Sequence, residues 1–314
     1  MKFFVTGVGG QLGHDVMNEL ISRGHVGVGS DIQPQYSGIQ DGTAVTTAPY
    51  RQLDITDATA VTSVITEVNP DAVIHCAAWT AVDAAEDEEN IPKVRAINAG
   101  GTANIASVCK SLGCKMTYIS TDYVFNGQGN TPWEPDCKDY APLNVYGQTK
   151  LEGELAVSST LDKYFIVRIA WVFGLNGKNF IKTMLNVGKK YDTVRVVNDQ
   201  IGTPTYTYDL ARLLVDMNEG EAYGYYHATN EGGYISWYDF TKEIYRQANE
   251  LLDAGYDTEV ISVTTEEYGL SKAARPFNSR LEKKKLVESG FEPLPTWQDA
   301  LSRYLEALKE NGDL

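Results

Sequence analysis

Near its start the chain runs Phe3-Phe4-Val5-Thr6-Gly7-Val8-Gly9-Gly10-Gln11-Leu12-Gly13, and few folds accommodate that order. A short apolar β-forming run meets Gly7, Gly10 and Gly13, spaced G-x-x-G-x-x-G, and Val16, Leu20 and Ile21 then recur with helical period. Glycines let a backbone approach a pyrophosphate, and the N-terminus of the following helix offers it free N–H donors. An ordinary strand-to-helix turn rarely needs three glycines at this spacing. The segment reads as the dinucleotide-binding turn of a parallel α/β sheet.

The continuation supports that reading. Val26-Gly27-Val28-Gly29-Ser30-Asp31 is a second strand ending in an acid. Asp31 falls roughly 20 residues past the glycine turn, where a carboxylate accepts hydrogen bonds from an adenosine ribose. A negative charge there favours NAD(H) over NADP(H) without excluding the latter; the alternative is a solvated loop aspartate. Residues 33–50, rich in Gln, Gly, Thr and Pro, read as an exposed loop. Leu53-Asp54-Ile55 reads as a strand end, and Val61, Val64, Ile65 and Val68 as the core stripe of a helix. Asp71–Ala78 is a buried-type strand ending in small residues, which leave room for a flat ligand at the crevice. Trp79-Thr80-Ala81-Val82-Asp83 follows at the same edge, and Glu86-Asp87-Glu88-Glu89 reads as a solvated helix start. Asn98 falls in the next helical stretch, either exposed or bonded to backbone near the site.

Met116–Ser120 is the fifth strand, and it delivers Thr121 and Asp122 to the crevice. After a Gly- and Pro-rich loop comes Tyr146-Gly147-Gln148-Thr149-Lys150. On a helix Tyr146 and Lys150 share a face one turn apart. An ammonium beside a phenol favours phenolate, which predicts a Tyr146 pKa below its usual value and an acid/base role beside a carbonyl that receives a hydride. Strand–helix alternation of this kind is a doubly wound parallel (Rossmann) sheet. Phe165–Gly174 adds a further strand from which Trp171 emerges toward ligand. The predicted organisation is a dinucleotide-binding domain over 1–175, with 195–230 returning to it in part, and a mainly substrate-binding lobe over 176–314.

Composition narrows the class. A net charge of −15 argues against nucleic acid or an anionic membrane surface as partner. No apolar run approaches the roughly 18 residues of a membrane span. Cys76, Cys109, Cys114 and Cys137 lack C-x-x-C spacing and read as reduced packing residues in a cytoplasmic setting. The four histidines are scattered, and no metal site is expected.

The residues also carry a family resemblance. Gly7–Gly13, Cys76–Asp83, Ser120–Gly127, Pro142–Lys150, Arg168–Gly174, Asn179-Phe180, Asn198–Thr205 and Arg275–Leu281 span nearly the whole chain. Together they resemble the extended short-chain dehydrogenase/reductases, and within them the dTDP-4-dehydrorhamnose reductases. The resemblance implies reduction of the C4 ketone of dTDP-4-dehydro-L-rhamnose with NADPH, NADH also being possible, by a monomer or homodimer. It implies Tyr146, Lys150 and Thr121 as catalytic residues. Gly10-Gln11-Leu12 would hold the pyrophosphate, Asp31 the ribose, Asp54-Ile55 the adenine, and Ala78-Trp79-Thr80 would lie along the cofactor. Thr121, Asp122 and Trp171 would contact the sugar.

Two departures stand out: the 33–50 loop is longer than the family's connection, and Asp15 occupies the place of a longer glutamate that would support a metal-bridged dimer. Two rival readings remain open at this point. One is another nucleotide-sugar reductase, epimerase or dehydratase on the same scaffold, although Tyr123 stands where a dehydratase carries its glutamate base. The other is a non-catalytic dinucleotide-binding regulatory subunit.

Overall fold

The computed structural model describes residues 1–312. Seven parallel strands make the central sheet: β1 (Lys2–Thr6), β2 (Val26–Asp31), β3 (Tyr50–Gln52), β4 (Ala72–His75), β5 (Lys115–Thr121), β6 (Tyr164–Ile169) and β7 (Gly224–His227). Their order is β7-β6-β5-β4-β1-β2-β3. The chain thus runs outward in one direction from β1 to β3 and in the other from β4 to β7. The order reverses beside β1, where Thr6 is in register with Ser30 on one side and His75 on the other. A crevice opens at the carboxyl ends of the strands at such a switch point.

Successive residues of each strand serve opposite faces. Phe3, Val5, Ile74 and Val167 pack with Val16, Met17 and Leu20 of helix Gln11–Ser22 and with Leu210, Leu213 and Leu214 of helix Thr207–Glu219. Phe4, Val73 and Ile166 pack on the other face with Val61 and Ile65 of helix Ala58–Val68 and with Ile105. Burial on both faces explains why these strands read as continuous apolar runs rather than alternating ones.

The 33–50 segment is more ordered than its composition predicts. Ala44–Thr46 forms a 3₁₀ turn with Val45 buried, and β3 begins at Tyr50, so Leu53 and Asp54 follow a strand end already passed. The crossover from β4 to β5 includes helix Ile91–Arg95, passes through a π-helical stretch, Ala96–Gly101, and continues as helix Thr102–Leu112. Beyond β6 a second body forms around Phe173, Ile181, Phe240, Ile244 and Tyr304, from helices Phe180–Gly188, Trp237–Leu252 and Trp297–Glu310. Strand Thr193–Val197 pairs within this body with Glu259–Val263, while β7 pairs with β6. No described helix is long and apolar enough to cross a membrane.

Candidate active site

A cleft of about 1070 Å³ lies over the carboxyl ends of the sheet, between it and the second body. Gly7, Gly10, Gln11, Leu12, Gly13, Asp31, Asp54, Ile55, Ala78, Thr80, Thr121, Asp122, Tyr146, Lys150 and Trp171 all line it. Trp79 is the exception among the predicted residues. Its backbone is held by Asn98, whose Oδ1 accepts from Trp79 N at 2.8 Å, while its indole donates to the Ala81 carbonyl and lies near Lys93. Asn98 is buried and also donates to the Thr149 hydroxyl, so it joins the Trp79 loop to the Tyr146 helix. Its π-helical setting is common at functional sites.

At one end the glycine turn is built for close approach. Gly7 has φ +70°, and a Cβ there would lie 2.6 Å from Ala77 N; a Cβ on Gly13 would lie 2.3 Å from the Gly7 carbonyl. Gly10 caps helix Gln11–Ser22 without any side chain over the helix end, leaving the first-turn N–H groups available. Asp31 Oδ2 accepts from Gly9 N at 3.0 Å, and its Oδ1 from Ile32 N at 2.7 Å. This cradle fits a dinucleotide: the turn and helix N-terminus would take the pyrophosphate and Asp31 the ribose.

At the other end Thr121, Asp122 and Lys150 are buried and Tyr146 is half-buried. Helix Val145–Thr160 starts at Asn144, whose side chain accepts from Gly147 N at 2.8 Å, and Glu86 Oε1 accepts from Val145 N at 2.8 Å. Gly147 lets the helix press against the Tyr123 carbonyl, which a Cβ would meet at 2.3 Å. Tyr146 and Thr121 line the cleft together, and the Tyr146 ring meets Tyr123 edge-on at 5.5 Å. The Thr121 hydroxyl donates to Asp122 Oδ1 at 2.9 Å. Burial pushes the Asp122 carboxyl up to about 6, opposed by the nearby Ser279 and Thr121 hydroxyls.

The expected direction of the Tyr146 shift is not what the structure shows. Burial raises its pKa above the usual phenol value; the nearby Thr121 hydroxyl offsets this in part, and Asp122 and Tyr123 add to it. Lys150 is one turn along but donates to the Ile119 carbonyl at 2.6 Å and lies 4.1 Å over the Tyr118 ring. Desolvation pushes that ammonium down to about 7, opposed by the charge of Glu154. Helical spacing revealed the neighbours but not the low-dielectric surroundings, which act on both groups before they act on each other.

Trp171 holds φ +51°, uncommon for a large side chain, and stacks on Trp237 at 3.7 Å between ring centroids, both lining the cleft. Asp83 ties the far segment down by accepting from the Lys272 and Ala273 amides and from Arg275 at 2.6 Å. Arg275 reaches the Tyr123 hydroxyl at 3.3 Å. Glu86, Trp237, Ser279 and Asn176 were not singled out by sequence reasoning. Each acts on a partner distant in the chain, and only the run Arg275–Leu281, noted for its resemblance, gave a signal for any of them. All four cysteines are free thiols, and among the described residues no group of His, Cys, Asp and Glu could hold a metal ion.

Comparison with known proteins gives this geometry its context. The profile of the family described as RmlD substrate binding domain matches residues 1–310. A dTDP-4-dehydrorhamnose reductase of Streptomyces griseus is 38% identical over 98% of this chain and 94% of its own. The crystal structure of a dTDP-4-dehydrorhamnose reductase from Clostridium acetobutylicum is 38% identical, with a TM-score of 0.86 over 98% of this chain and 100% of that one. A Bacillus anthracis dTDP-4-dehydrorhamnose reductase, solved in complex with NADP, is 36% identical with a TM-score of 0.84, covering 98% of this chain and 99% of that one.

Proposed function

The chain belongs to the RmlD substrate binding domain family, and from that premise we propose that it is an NAD(P)H-dependent oxidoreductase, a dTDP-4-dehydrorhamnose reductase. It reduces the C4 ketone of dTDP-4-dehydro-L-rhamnose to the alcohol of dTDP-L-rhamnose. The observation that carries this reading is that Tyr146, Thr121 and Lys150 line the same cleft as the glycine turn.

When bound, the dihydronicotinamide supplies the hydride that reaches the carbonyl carbon. The Thr121 hydroxyl would turn from Asp122 Oδ1 to the C4 oxygen, where it and the Tyr146 hydroxyl would stabilise the charge developing there. Tyr146 then gives its proton to that oxygen. Its raised pKa suits this direction, because an acid must keep its proton until the alkoxide forms. Lys150, whose pKa burial lowers to about 7, would stabilise the phenolate in its ammonium form. Asp122 would hold the Thr121 hydroxyl until the carbonyl oxygen takes its place as acceptor. The paired indoles of Trp171 and Trp237 would pack on the sugar nucleotide, held mainly by the lobe of residues 176–314. The enzyme would work in the cytoplasm, where its four cysteines remain thiols.

The test is consumption of NADPH and NADH, in parallel, with enzymatically prepared dTDP-ketosugar. Stoichiometric oxidation of cofactor with formation of the deoxysugar alcohol is expected. Product formation without net cofactor oxidation would instead mark an epimerase or dehydratase, which recycles its dinucleotide.

A further inference from the structure

The connection between β2 and β3 joins two adjacent parallel strands without an α-helix, where such a crossover usually has one; it holds only the 3₁₀ turn Ala44–Thr46. It is also fastened at several points. The Tyr36 hydroxyl lies 2.6 Å from His14 Nδ1, and Val45 N donates to Asn18 Oδ1 at 2.8 Å. Both anchors stand on helix Gln11–Ser22, whose N-terminus carries the glycine turn.

A third anchor comes from across the cleft. Asn176, 3% exposed, accepts from Ile39 N at 3.0 Å through Oδ1. Its Nδ2 donates to the carbonyls of Gly9 and Gly10, at 2.9 and 3.1 Å. One carboxamide therefore joins the segment to the glycine turn. Gly38 allows the approach: a Cβ there would lie 2.2 Å from the Tyr36 hydroxyl and 2.6 Å from Asn176 Nδ2. The outcome is the position of Ser37, which lines the cleft. A Cβ on Gly9 would lie 3.1 Å from Ser37 Oγ and 3.0 Å from Asp31 Oδ2, so the two oxygens flank one point above the turn.

We propose that residues 33–46 form a cofactor-binding strap, clamped to the glycine turn by Asn176, that sets the Ser37 hydroxyl opposite Asp31 to bind the adenosine ribose diol. This rests on the cleft being a dinucleotide site. The chemistry is complementary. Asp31 offers only acceptors, part of whose capacity is taken by two amides. A serine hydroxyl both donates and accepts, matching the diol's second oxygen. Asn176 needs an amide at that position, since an aspartate would keep the contact to Ile39 N but face two carbonyls with no proton to give.

The experiment measures NADH dissociation constants by nicotinamide fluorescence, without ketosugar, for the unaltered chain and for Ser37→Ala, Ser37→Thr and Asn176→Asp. Ser37→Ala is expected to weaken binding about threefold to tenfold, the size of one net hydrogen bond. Ser37→Thr, which keeps the hydroxyl, should restore affinity to within about twofold. Asn176→Asp should weaken binding more than Ser37→Ala, because it breaks the tie to the glycine turn and sets a carboxylate against the Gly9 and Gly10 carbonyls. Ser37 is exposed, so its replacement leaves folding intact and the test stands even if Asn176→Asp fails to fold. Unchanged affinity in Ser37→Ala overturns the strap proposal while leaving the dinucleotide site in place. Absence of NADH binding by the unaltered chain overturns the dinucleotide reading and the strap with it.

Discussion

The two ends of the cleft are built on different principles. At the catalytic end Thr121, Asp122 and Lys150 are 5%, 2% and 3% exposed, and burial drives the Tyr146, Lys150 and Asp122 pKa values away from their ordinary ranges. At the adenosine end Ile32, Gln33 and Ser37 are exposed, and Asp31 is held by backbone amides. Moving a proton on demand requires groups whose charge is expensive, which only a low dielectric provides. Recognising a hydrated ribose requires donors and acceptors in the right places. Damage at the first end should therefore appear in rate and stability, and damage at the second in affinity.

The largest effect should come from beneath the catalytic helix. Arg168 and Glu154 are fully buried and joined by two 2.8 Å hydrogen bonds. Arg168→Met leaves Glu154 uncompensated and should destabilise the fold by about 3–5 kcal/mol in urea unfolding. The double variant Arg168→Met/Glu154→Leu should recover most of that loss, because removing both charges also removes their desolvation cost. If the single variant is as stable as the parent, burial is not what distinguishes this end. Next, Thr121→Val should lower kcat about 100-fold, as loss of one donor to a developing oxyanion does. A change confined to cofactor KM would erase the contrast between the two ends.

Stability against pH sharpens the comparison further. With its folded pKa lowered from 10.5 to about 7, Lys150 has released a proton that the unfolded chain still holds between those values. Its contribution to stability thus rises as pH increases through that window. Asp122 is opposite: between its ordinary 3.8 and about 6 the folded chain holds a proton the unfolded chain has lost, so its contribution falls as pH rises there. Lys150→Met should flatten the rise between pH 7 and 10, read from denaturant midpoints. The smallest effect is at the adenosine end, where Asp31→Ala should raise the KM for NADH about tenfold, as loss of a charge-assisted hydrogen bond does.

How far the sequence displayed this arrangement follows the same division. The glycine turn, the strand–helix alternation and the Tyr146/Lys150 spacing are local patterns, and local periodicity survives in a linear string. Asp31 was legible because its distance from the turn is set by one helix and one strand. The hold of Asn98 on the Trp79 backbone is not legible in the string, because Asn98 arrives from a π-helical stretch that periodicity does not reveal. The 33–46 segment looked loose because its Gly, Gln and Thr content hides anchors on His14, Asn18 and Asn176. The Tyr146 shift was misread for a related reason: spacing reports neighbours, while desolvation is summed over everything packed around them.

The central claim is that Tyr146 supplies the proton in a cleft that binds the dinucleotide independently. Tyr146→Phe tests it most directly, with turnover of the dTDP-ketosugar and the dissociation constant for NADPH measured on the same preparation. The account predicts a fall in kcat of about 10²–10⁴, with NADPH affinity held within about twofold. Turnover equal to that of the unaltered enzyme would contradict it.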